Sequence, residues 1–222
     1  MENFIQGFFN LQVYGEVFPF LLNGLWTTIW LSAIVIPIGA ISGLILAIGM
    51  TQKNSRLVYW LIVVYVDFFR AFPPLVLLIL VYFGWPFLGI ELNKLTAVVI
   101  AFGLNNASYY AEVFRAGLEG VSKGQMEAAR STGLNKRKAL LYVVIPQAVR
   151  NVLPDLIGNS IEVVKLTTIA SVVALPELLR AARDAQSIVY NPSPVMLAAL
   201  MYLAILWPLT RWLGRMEHKR GQ

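Results

Sequence analysis

Long apolar blocks, separated by short polar stretches, constrain this sequence more than any other feature. Residues 18–50 contain no Asp, Glu, Lys or Arg, and residues 57–85 contain only Asp67 and Arg70. About 20 consecutive apolar residues are enough for a helix to span the hydrocarbon core of a bilayer. Charged residues make up 14% of the chain, whereas soluble domains have roughly 25%. The sequence therefore predicts an all-α transmembrane protein with a single domain, residues 1–222.

The positions of the apolar blocks predict five membrane spans. The first block is longer than one straight span requires, so we expect tilt or an interfacial first turn to absorb the excess. The second block contains Pro73 and Pro74 near its middle, where two prolines must kink or break a helix. The five predicted spans are residues 18–50, 57–85, 96–117, 153–174 and 195–213.

Two glycines, Gly39 and Gly43, lie about one helical turn apart in the first block. Small residues at this spacing let two membrane helices approach closely. Glycine is also frequent in membrane helices in general, so the sequence leaves open whether these two residues mark a close contact.

Basic residues are concentrated in alternate polar segments, which predicts the orientation of the chain. Because cytoplasmic loops carry an excess of Lys and Arg, we attribute the net charge of +6 to topology and not to nucleic-acid binding. We expect the N-terminus outside and the C-terminus in the cytoplasm. The residues behind this prediction are Lys53 and Arg56 in the first turn, Lys123, Arg130, Lys136, Arg137 and Lys138 in the central segment, and Arg211, Arg215, Lys219 and Arg220 in the tail.

The central polar segment, residues 121–146, predicts a short helix that docks onto another surface. Ser122 is the expected N-cap, and Gln125, three residues later, has the spacing of a capping box. Gly133 can adopt the left-handed conformation that ends a helix, and Asn135 can cap the next helix. A helix of about ten residues is shorter than the roughly 12–15 residues that are marginally stable alone in water. It therefore requires a partner surface.

Four motifs resemble those of the membrane subunits of ABC importers. Glu127-Ala128-Ala129, Gly133 and Val143-Val144-Ile145-Pro146 are similar to the EAA loop, the helix that fits a groove on the ATPase. That pattern usually ends in Ile-x-Leu-Pro, so Val143 and Ile145 are conservative departures. The other three motifs are FRAFP at residues 69–73, YAEVFRAG at residues 110–117 and LPELL at residues 175–179. Together the motifs cover most of residues 18–215 and resemble the polar amino-acid branch of the family.

This resemblance implies a type I (MetI-like) ABC importer permease fold with five spans and a cytoplasmic coupling helix at about residues 122–133. The implied partners are two ABC ATPase subunits, a second permease subunit that is identical or homologous, and a periplasmic or lipid-anchored solute-binding protein. The implied solute is a polar amino acid or a related compound, carried across a bacterial inner membrane whose lipid surrounds the chain. The residues expected to couple the permease to the ATPase are Gln125, Glu127, Ala128, Ala129 and Gly133.

The sequence lacks the residues that an enzyme active site would need. It contains no GxxxxGKS or GxxxxGKT phosphate loop, no cysteine and a single histidine, His218. One histidine in the tail provides neither a nucleophile–base pair nor a metal-ligand cluster. We therefore expect no catalytic residue, no metal site and no cofactor in this chain, and we expect partner ATPase subunits to bind ATP and magnesium.

Acid–base pairs three residues apart occur within or at the ends of the predicted spans. A charged residue at the centre of a membrane helix costs about 2.5–3.5 kcal/mol on insertion scales, which suggests a use. Residues three apart lie on one helix face, so each pair can also simply neutralise itself. The pairs are Asp67 with Arg70, Glu112 with Arg115, and Glu162 with Lys165.

We predict that the solute binds among these polar residues. Arg70 lies just before the proline break, where its planar guanidinium can hold a carboxylate through two parallel hydrogen bonds. Glu162 and Lys165 offer both charges that a zwitterion needs, and the permeases that this stretch resembles place their substrate near the membrane midplane. The alternative is hydrogen bonding between helices. The predicted substrate-binding residues are Arg70, Asn105, Asn106, Tyr109, Asn159, Glu162, Lys165, Thr167 and Thr168.

Two other functions remain open from the sequence. The chain can be half of an ion-coupled secondary transporter or a channel subunit, with the intramembrane carboxylates as a relay. It can also be a membrane scaffold without a pathway, in which case Arg70 and Lys165 would tolerate neutral substitution. The first alternative leaves the helix predicted at residues 122–133 unexplained. The sequence does not identify the amino acid or decide whether the two permease subunits are identical.

Overall fold

The computed structural model describes residues 6–52 and 55–218, and these residues form helices and turns without a strand. Lys53, Lys219 and Arg220, which contribute to the predicted topology, lie outside the described residues. The elements are α1 Leu11–Gln52, α2 Arg56–Ala71, α3 Pro74–Ile79, a π-helical turn Leu80–Gly84, a 3-10 turn Trp85–Leu88, α4 Lys94–Glu119, α5 Lys123–Ser131, α6 Lys136–Ala139, a π-helical turn Leu140–Val144, α7 Ile145–Asn151, α8 Leu153–Leu166, a 3-10 segment Thr167–Val173, α9 Leu178–Val189 and α10 Ser193–His218.

Three segments of the described chain are long and apolar enough to cross a membrane: Gln6–Thr51, Leu153–Val173 and Ser193–His218. A fourth candidate is the broken pair Arg56–Ala71 and Pro74–Leu88, if the pair counts as one span. These segments correspond to four of the five predicted spans. The remaining prediction, residues 96–117, coincides with the continuous helix α4, which is not among these candidate spans. That α4 crosses the membrane stays a prediction.

The break predicted at Pro73 and Pro74 is present, and its cause is local. Phe72 has φ −82° and ψ 126°, an extended conformation, because the ring of a following proline disfavours helical geometry. The last carbonyl groups of α2 therefore lack helical partners. Two of these carbonyl groups accept hydrogen bonds from side chains of α4. Asn105 Nδ2 donates to the Phe69 carbonyl at 2.8 Å, and the Tyr109 hydroxyl donates to the Arg70 carbonyl at 3.3 Å.

Helical geometry also changes around Pro146 and Pro154. Both prolines occupy the second position of a helix, α7 or α8, where a missing backbone N–H leaves no helical bond unmade. Val152, between α7 and α8, has φ −116° and ψ 16°. The chain can therefore turn at this point without a proline inside a helix.

The chain forms two compact units. The first unit comprises Met1–Val35, Leu75–Ala101 and Ser160–Gln222, as far as these are described, and the second comprises Ile36–Pro74 and Phe102–Asn159. In the first unit α1, α9 and α10 share an apolar core. Its fully or nearly buried members are Val17, Leu21, Leu178, Ala182, Ala185, Leu197 and Ala198.

The second unit is built around the contact between α1 and α4. The core on which these two helices meet includes Ala47, Tyr110, Phe114 and Leu118. A Cβ atom added to Gly43 would lie 2.5 Å from the Tyr110 Cβ and 2.8 Å from the Ala111 backbone nitrogen. No real Cβ is that close to backbone, so Gly43 allows the two helices to touch. The close-packing interpretation is thus confirmed at Gly43.

We expect Gly43→Ala to destabilise the chain by about 1–3 kcal/mol, because the added methyl group overpacks the contact with Tyr110. Gly214→Ala is the matched control, since nothing lies within 4 Å of a Cβ at that helical position. Alanine there should be neutral or stabilising by up to about 1 kcal/mol. Thermal and denaturant unfolding of both variants in detergent micelles measures the difference, and equal stability of the two would contradict the contact.

Candidate functional site

The short helix predicted at residues 122–133 is present as α5, Lys123–Ser131. Ser122 is its N-cap residue by backbone conformation, with φ −61° and ψ 141°. Gly133 follows the helix with φ 91°, a left-handed conformation that ends it as predicted. Asn135 caps the next helix, α6, by accepting a hydrogen bond from the Lys138 backbone nitrogen at 2.9 Å.

The capping box predicted for this helix is wrong. The Ser122 side chain makes no capping hydrogen bond. The Gln125 side chain contacts α7 instead of the N-cap residue: its Oε1 accepts a hydrogen bond from Gln147 Nε2 at 3.2 Å. The tertiary contact replaces the local one because α7 brings a second amide donor within reach. This bond ties α5 to α7.

One face of α5 packs against the rest of the second unit, and the other face is exposed. Ala129 is buried, and Met126 packs against the core that contains Phe114 and Leu118. Glu127 and Ala128, in contrast, are exposed. An exposed face that carries the EAA-like residues leaves α5 able to bind a partner. All five predicted coupling residues lie on or next to this helix: Gln125, Glu127, Ala128, Ala129 and Gly133.

Charged residues of α2 and α4 form an ion cluster in the second unit. Glu112 binds Arg115 at 2.8 Å, and Arg115 also binds Glu119 at 2.8 Å. The predicted pair of Glu112 and Arg115 is therefore confirmed. Arg70 lies 3.7 Å from Glu112, and its guanidinium lies 5.9 Å from the centre of the Tyr109 ring.

The predicted pair of Asp67 and Arg70 is wrong. Within the described residues Arg70 is paired with Glu112 on α4, and no ion pair joins it to Asp67. A ring face attracts a guanidinium group, so Tyr109 and Glu112 together draw Arg70 toward α4. Spacing along one helix does not reveal such a competitor on another.

The second unit contains five of the predicted substrate-binding residues. Asn105 and Asn106 are 2% and 4% exposed, and their amide nitrogens donate to the carbonyls of Phe69 and Phe102. The bond from Asn105 joins α4 to α2 and matches the alternative role, hydrogen bonding between helices, whereas the bond from Asn106 lies within α4. Asn159 Nδ2 is buried without a hydrogen-bond partner in the described part of the chain. Arg70 and Tyr109 complete this group.

The first unit contains the other four predicted residues. Lys165 Nζ donates to Glu162 Oε1 at 2.7 Å, and their side chains are 47% and 65% exposed. This confirms the third predicted pair. The hydroxyl groups of Thr167 and Thr168 donate to backbone carbonyls one turn earlier, and Thr167 is fully buried. Lys165 also lines a cavity of about 790 Å³ together with Tyr202, Trp207 and Thr210 of α10.

Glu177 has a structural role that the sequence analysis did not assign. It is fully buried and caps α9, where its two oxygens accept hydrogen bonds from the Leu179 and Arg180 backbone nitrogens at 2.8 and 2.7 Å. The Tyr202 hydroxyl donates to the same carboxylate at 3.0 Å. The signal in the sequence is a carboxylate directly after Pro176 and before a helical pattern. Burial raises the pKa of this carboxyl above 4.5, although the three hydrogen bonds oppose the shift.

Comparison with known proteins identifies the family. Residues 36–221 match the family described as "Binding-protein-dependent transport system inner membrane component". The chain belongs to this family. The permease is 34% identical over 198 residues, 89% of this chain and 87% of the relative, to "Probable amino-acid ABC transporter permease protein YckA" of Bacillus subtilis (strain 168). It is also 34% identical over 194 residues, 86% of this chain and 88% of the relative, to "Arginine transport system permease protein ArtQ" of the same organism.

Solved structures agree with this assignment. One chain of "Crystal structure of an amino acid ABC transporter with histidines" matches with a TM-score of 0.81 and 33% identity, over 92% of this permease and 95% of that chain. An inward-facing MetNI methionine ABC transporter matches with a TM-score of 0.73 and 18% identity, over 88% and 94%, which shows the fold alone. The type I permease fold expected from the sequence is confirmed.

Family membership decides between the functions that the sequence left open. The permease is a membrane-spanning subunit of an ABC importer, so neither an ion-coupled transporter half nor a scaffold is needed to explain it. Subunits of this family work with an ATPase and a binding protein, and in this family ATP hydrolysis belongs to the separate ATPase subunit.

We expect the buried carboxylate of Glu177 to make stability depend on pH. The pKa of Glu177 is higher in the folded chain than in the unfolded chain, where it is near 4.5. The folded chain therefore binds the proton of this carboxyl group more tightly. Above the pKa of the folded chain, the buried carboxylate is charged and lowers the free energy of unfolding. As the pH falls below that pKa, the carboxylate is protonated and this destabilisation is lost. Lowering the pH from 7 toward 4.5 should therefore raise the melting temperature of the wild type relative to Glu177→Gln.

The matched control for this prediction is Glu91→Gln, which neutralises an exposed carboxylate. Its melting temperature should follow the wild type at every pH. A constant difference between wild type and Glu177→Gln across the titration would contradict the raised pKa.

Proposed function

We propose that this permease imports polar amino acids across a bacterial inner membrane, driven by partner ATPases. Relatives that align over nearly the whole chain are named as amino-acid, arginine or glutamine permeases. The complex contains two permease subunits, identical or homologous, related by a two-fold axis. Two ATPase subunits bind ATP and magnesium, and a periplasmic or lipid-anchored binding protein delivers the solute.

The observation that carries the choice of solute is the exposed ion pair of Glu162 and Lys165. The pair lies in Leu153–Val173, a segment apolar enough to cross a membrane, where an uncovered charge is expensive. Both side chains are about half exposed in this chain, so they are available to a solute. A zwitterionic amino acid can exchange with the pair, since its ammonium group replaces Lys165 at Glu162 and its carboxylate binds Lys165.

The coupling step rests on α5. Its exposed face carries Glu127 and Ala128, and its buried face is joined to the core of the second unit through Met126. A force applied by an ATPase to this helix therefore reaches the membrane helices that it packs against. We propose that closure of the two ATPases moves both copies of α5 and opens the solute site to alternate sides.

The proposed orientation places the N-terminus outside and the C-terminus in the cytoplasm. Lys123, Arg130 and Lys136 lie on or next to α5, and Arg211 and Arg215 lie in the last turns of α10. An excess of basic residues favours the cytoplasmic side. This orientation puts α5 where an ATPase can bind it.

We expect Glu162→Gln and Lys165→Gln each to raise the KM for the transported amino acid by about tenfold or more, equivalent to about 1.4 kcal/mol of lost binding. ATP-dependent uptake of radiolabelled glutamine, arginine and glutamate into proteoliposomes that contain the whole transporter measures the change. Asp184→Asn is the matched control, because it breaks another exposed ion pair of the first unit, Arg180–Asp184. Wild-type KM values in both variants would overturn the proposed solute site.

We expect Gly133→Asp to abolish stimulation of the ATPase and uptake while the subunit stays folded. A residue with a side chain strains the backbone at φ 91° by about 1–2 kcal/mol and displaces the end of α5. Glu127→Ala should reduce coupling, because it removes an exposed side chain that we propose contacts the ATPase. Gly124→Ala on the same helix is the control, since a Cβ there meets only Ser122 Oγ at 3.8 Å. Normal uptake and ATPase stimulation in Gly133→Asp would contradict the role of α5.

A further inference from the structure

A second cavity with charged walls lies in the second unit, beside the first turn of α5. Its volume is about 560 Å³, within the range of roughly 300–1,000 Å³ that is typical of small-molecule sites. The wall is formed by α2, by α4, by the end of α1 and by the first residue of α5. The lining residues are Met50, Thr51, Tyr59, Val63, Asp67, Arg70, Glu112, Arg115, Glu119 and Lys123.

The charges of this cavity balance, but they are not all paired. Three of the lining side chains are cationic and three are anionic. Arg115 binds both Glu112 and Glu119 at 2.8 Å. Arg70 is 3.7 Å from Glu112, beyond the distance of a hydrogen bond. Among the residues that the structure describes, Asp67 and Lys123 form no ion pair, so the cavity offers one carboxylate, one ammonium group and a guanidinium with unused donors.

This set of groups selects the chemistry of a ligand. A metal ion does not fit, since no group of three acidic, His or Cys residues among those described can hold one. An anion such as phosphate would meet Asp67 as well as the cations. A molecule with one ammonium and one carboxylate group complements the three side chains that have unused bonding capacity. Its ammonium group binds Asp67, and its carboxylate group binds Lys123 and Arg70. Met50 and Val63 add apolar surface for the remainder of the molecule.

We propose that this cavity is a second binding site for a zwitterionic amino acid, separate from the pair Glu162–Lys165. The choice of an amino acid rests on the proposed function. Asp67 and Arg70 lie on α2, and Lys123 is the first residue of α5. A ligand held by all three therefore joins the helix before the proline break to the helix that we propose binds the ATPase. Arg70, predicted from the sequence as a carboxylate ligand, has that role at this site.

The test uses the full-length chain in lipid nanodiscs and isothermal titration with L-glutamine, L-arginine and L-glutamate. We expect two binding events per chain for the amino acid that is transported. Asp67→Asn and Lys123→Gln should each weaken one event by about tenfold or more and leave the other unchanged, whereas Lys165→Gln should weaken the other. N-acetyl-L-glutamine and L-glutaminamide, which each lack one of the two charges, should weaken both events, because both proposed sites bind an ammonium group and a carboxylate group.

The matched controls neutralise charges that do not line the cavity. Asp155→Asn replaces an exposed aspartate of α8, and Lys136→Gln replaces an exposed lysine in the first turn of α6. Both should bind as the wild type does. Unchanged binding in Asp67→Asn and Lys123→Gln, together with normal uptake by the wild type, would overturn the second site and leave the proposed function standing. Failure of the wild-type transporter to import any amino acid would instead remove the proposed function.

A phosphatidylethanolamine headgroup also carries an ammonium group and an anion, so the nanodisc lipid separates the two sources. We expect equal affinity for the amino acid in discs of phosphatidylglycerol and in discs that contain phosphatidylethanolamine. If phosphatidylethanolamine abolishes the event that depends on Asp67 and Lys123, the site belongs to lipid and the assignment to an amino acid is overturned.

Discussion

The absence of water in the hydrocarbon core of a membrane decides most of this structure, because each backbone N–H and C=O group there needs a partner within the protein. Regular helix satisfies that requirement over most of the chain. The exception is the end of α2, where Pro73 interrupts the helix and leaves carbonyl groups free. Asn105 and Tyr109 of α4 fill the gap by donating to the carbonyls of Phe69 and Arg70. Polar residues that the sequence suggests as substrate-binding residues therefore also satisfy backbone hydrogen bonds that the proline break leaves open.

Charged residues serve two different purposes in this permease. Glu177 is fully buried and receives three hydrogen bonds that anchor the start of α9, although burial still raises its pKa. Glu162 and Lys165 satisfy only each other and stay about half exposed. A buried, saturated carboxylate has no capacity left for a solute, whereas an exposed pair can exchange its partners. Accessibility and unused bonding capacity, more than charge itself, separate structural from functional residues here.

Predictions from the sequence succeeded where the physics is local and failed where a second helix competes. The proline break, the stop at Gly133, the cap at Asn135 and the pair Glu162–Lys165 depend on residues within four positions of each other. The capping box failed because Gln147 of α7 binds Gln125. The pair of Asp67 and Arg70 failed because Glu112 and Tyr109 on α4 attract the guanidinium.

The class of fold, the positions of the helices and the resemblance to the family can be predicted from the sequence. They follow from the length of the apolar blocks, the positions of proline and glycine, and the order of the motifs. The contacts of each polar residue, in contrast, depend on how the helices pack. The tertiary structure buried Asn105 and Asn106, assigned Glu177 to the cap of α9, and gathered Asp67, Arg70 and Lys123 around one cavity. The physical reason is that hydrogen bonds and ion pairs act over a few ångströms, and residues far apart in sequence reach that distance only when helices pack.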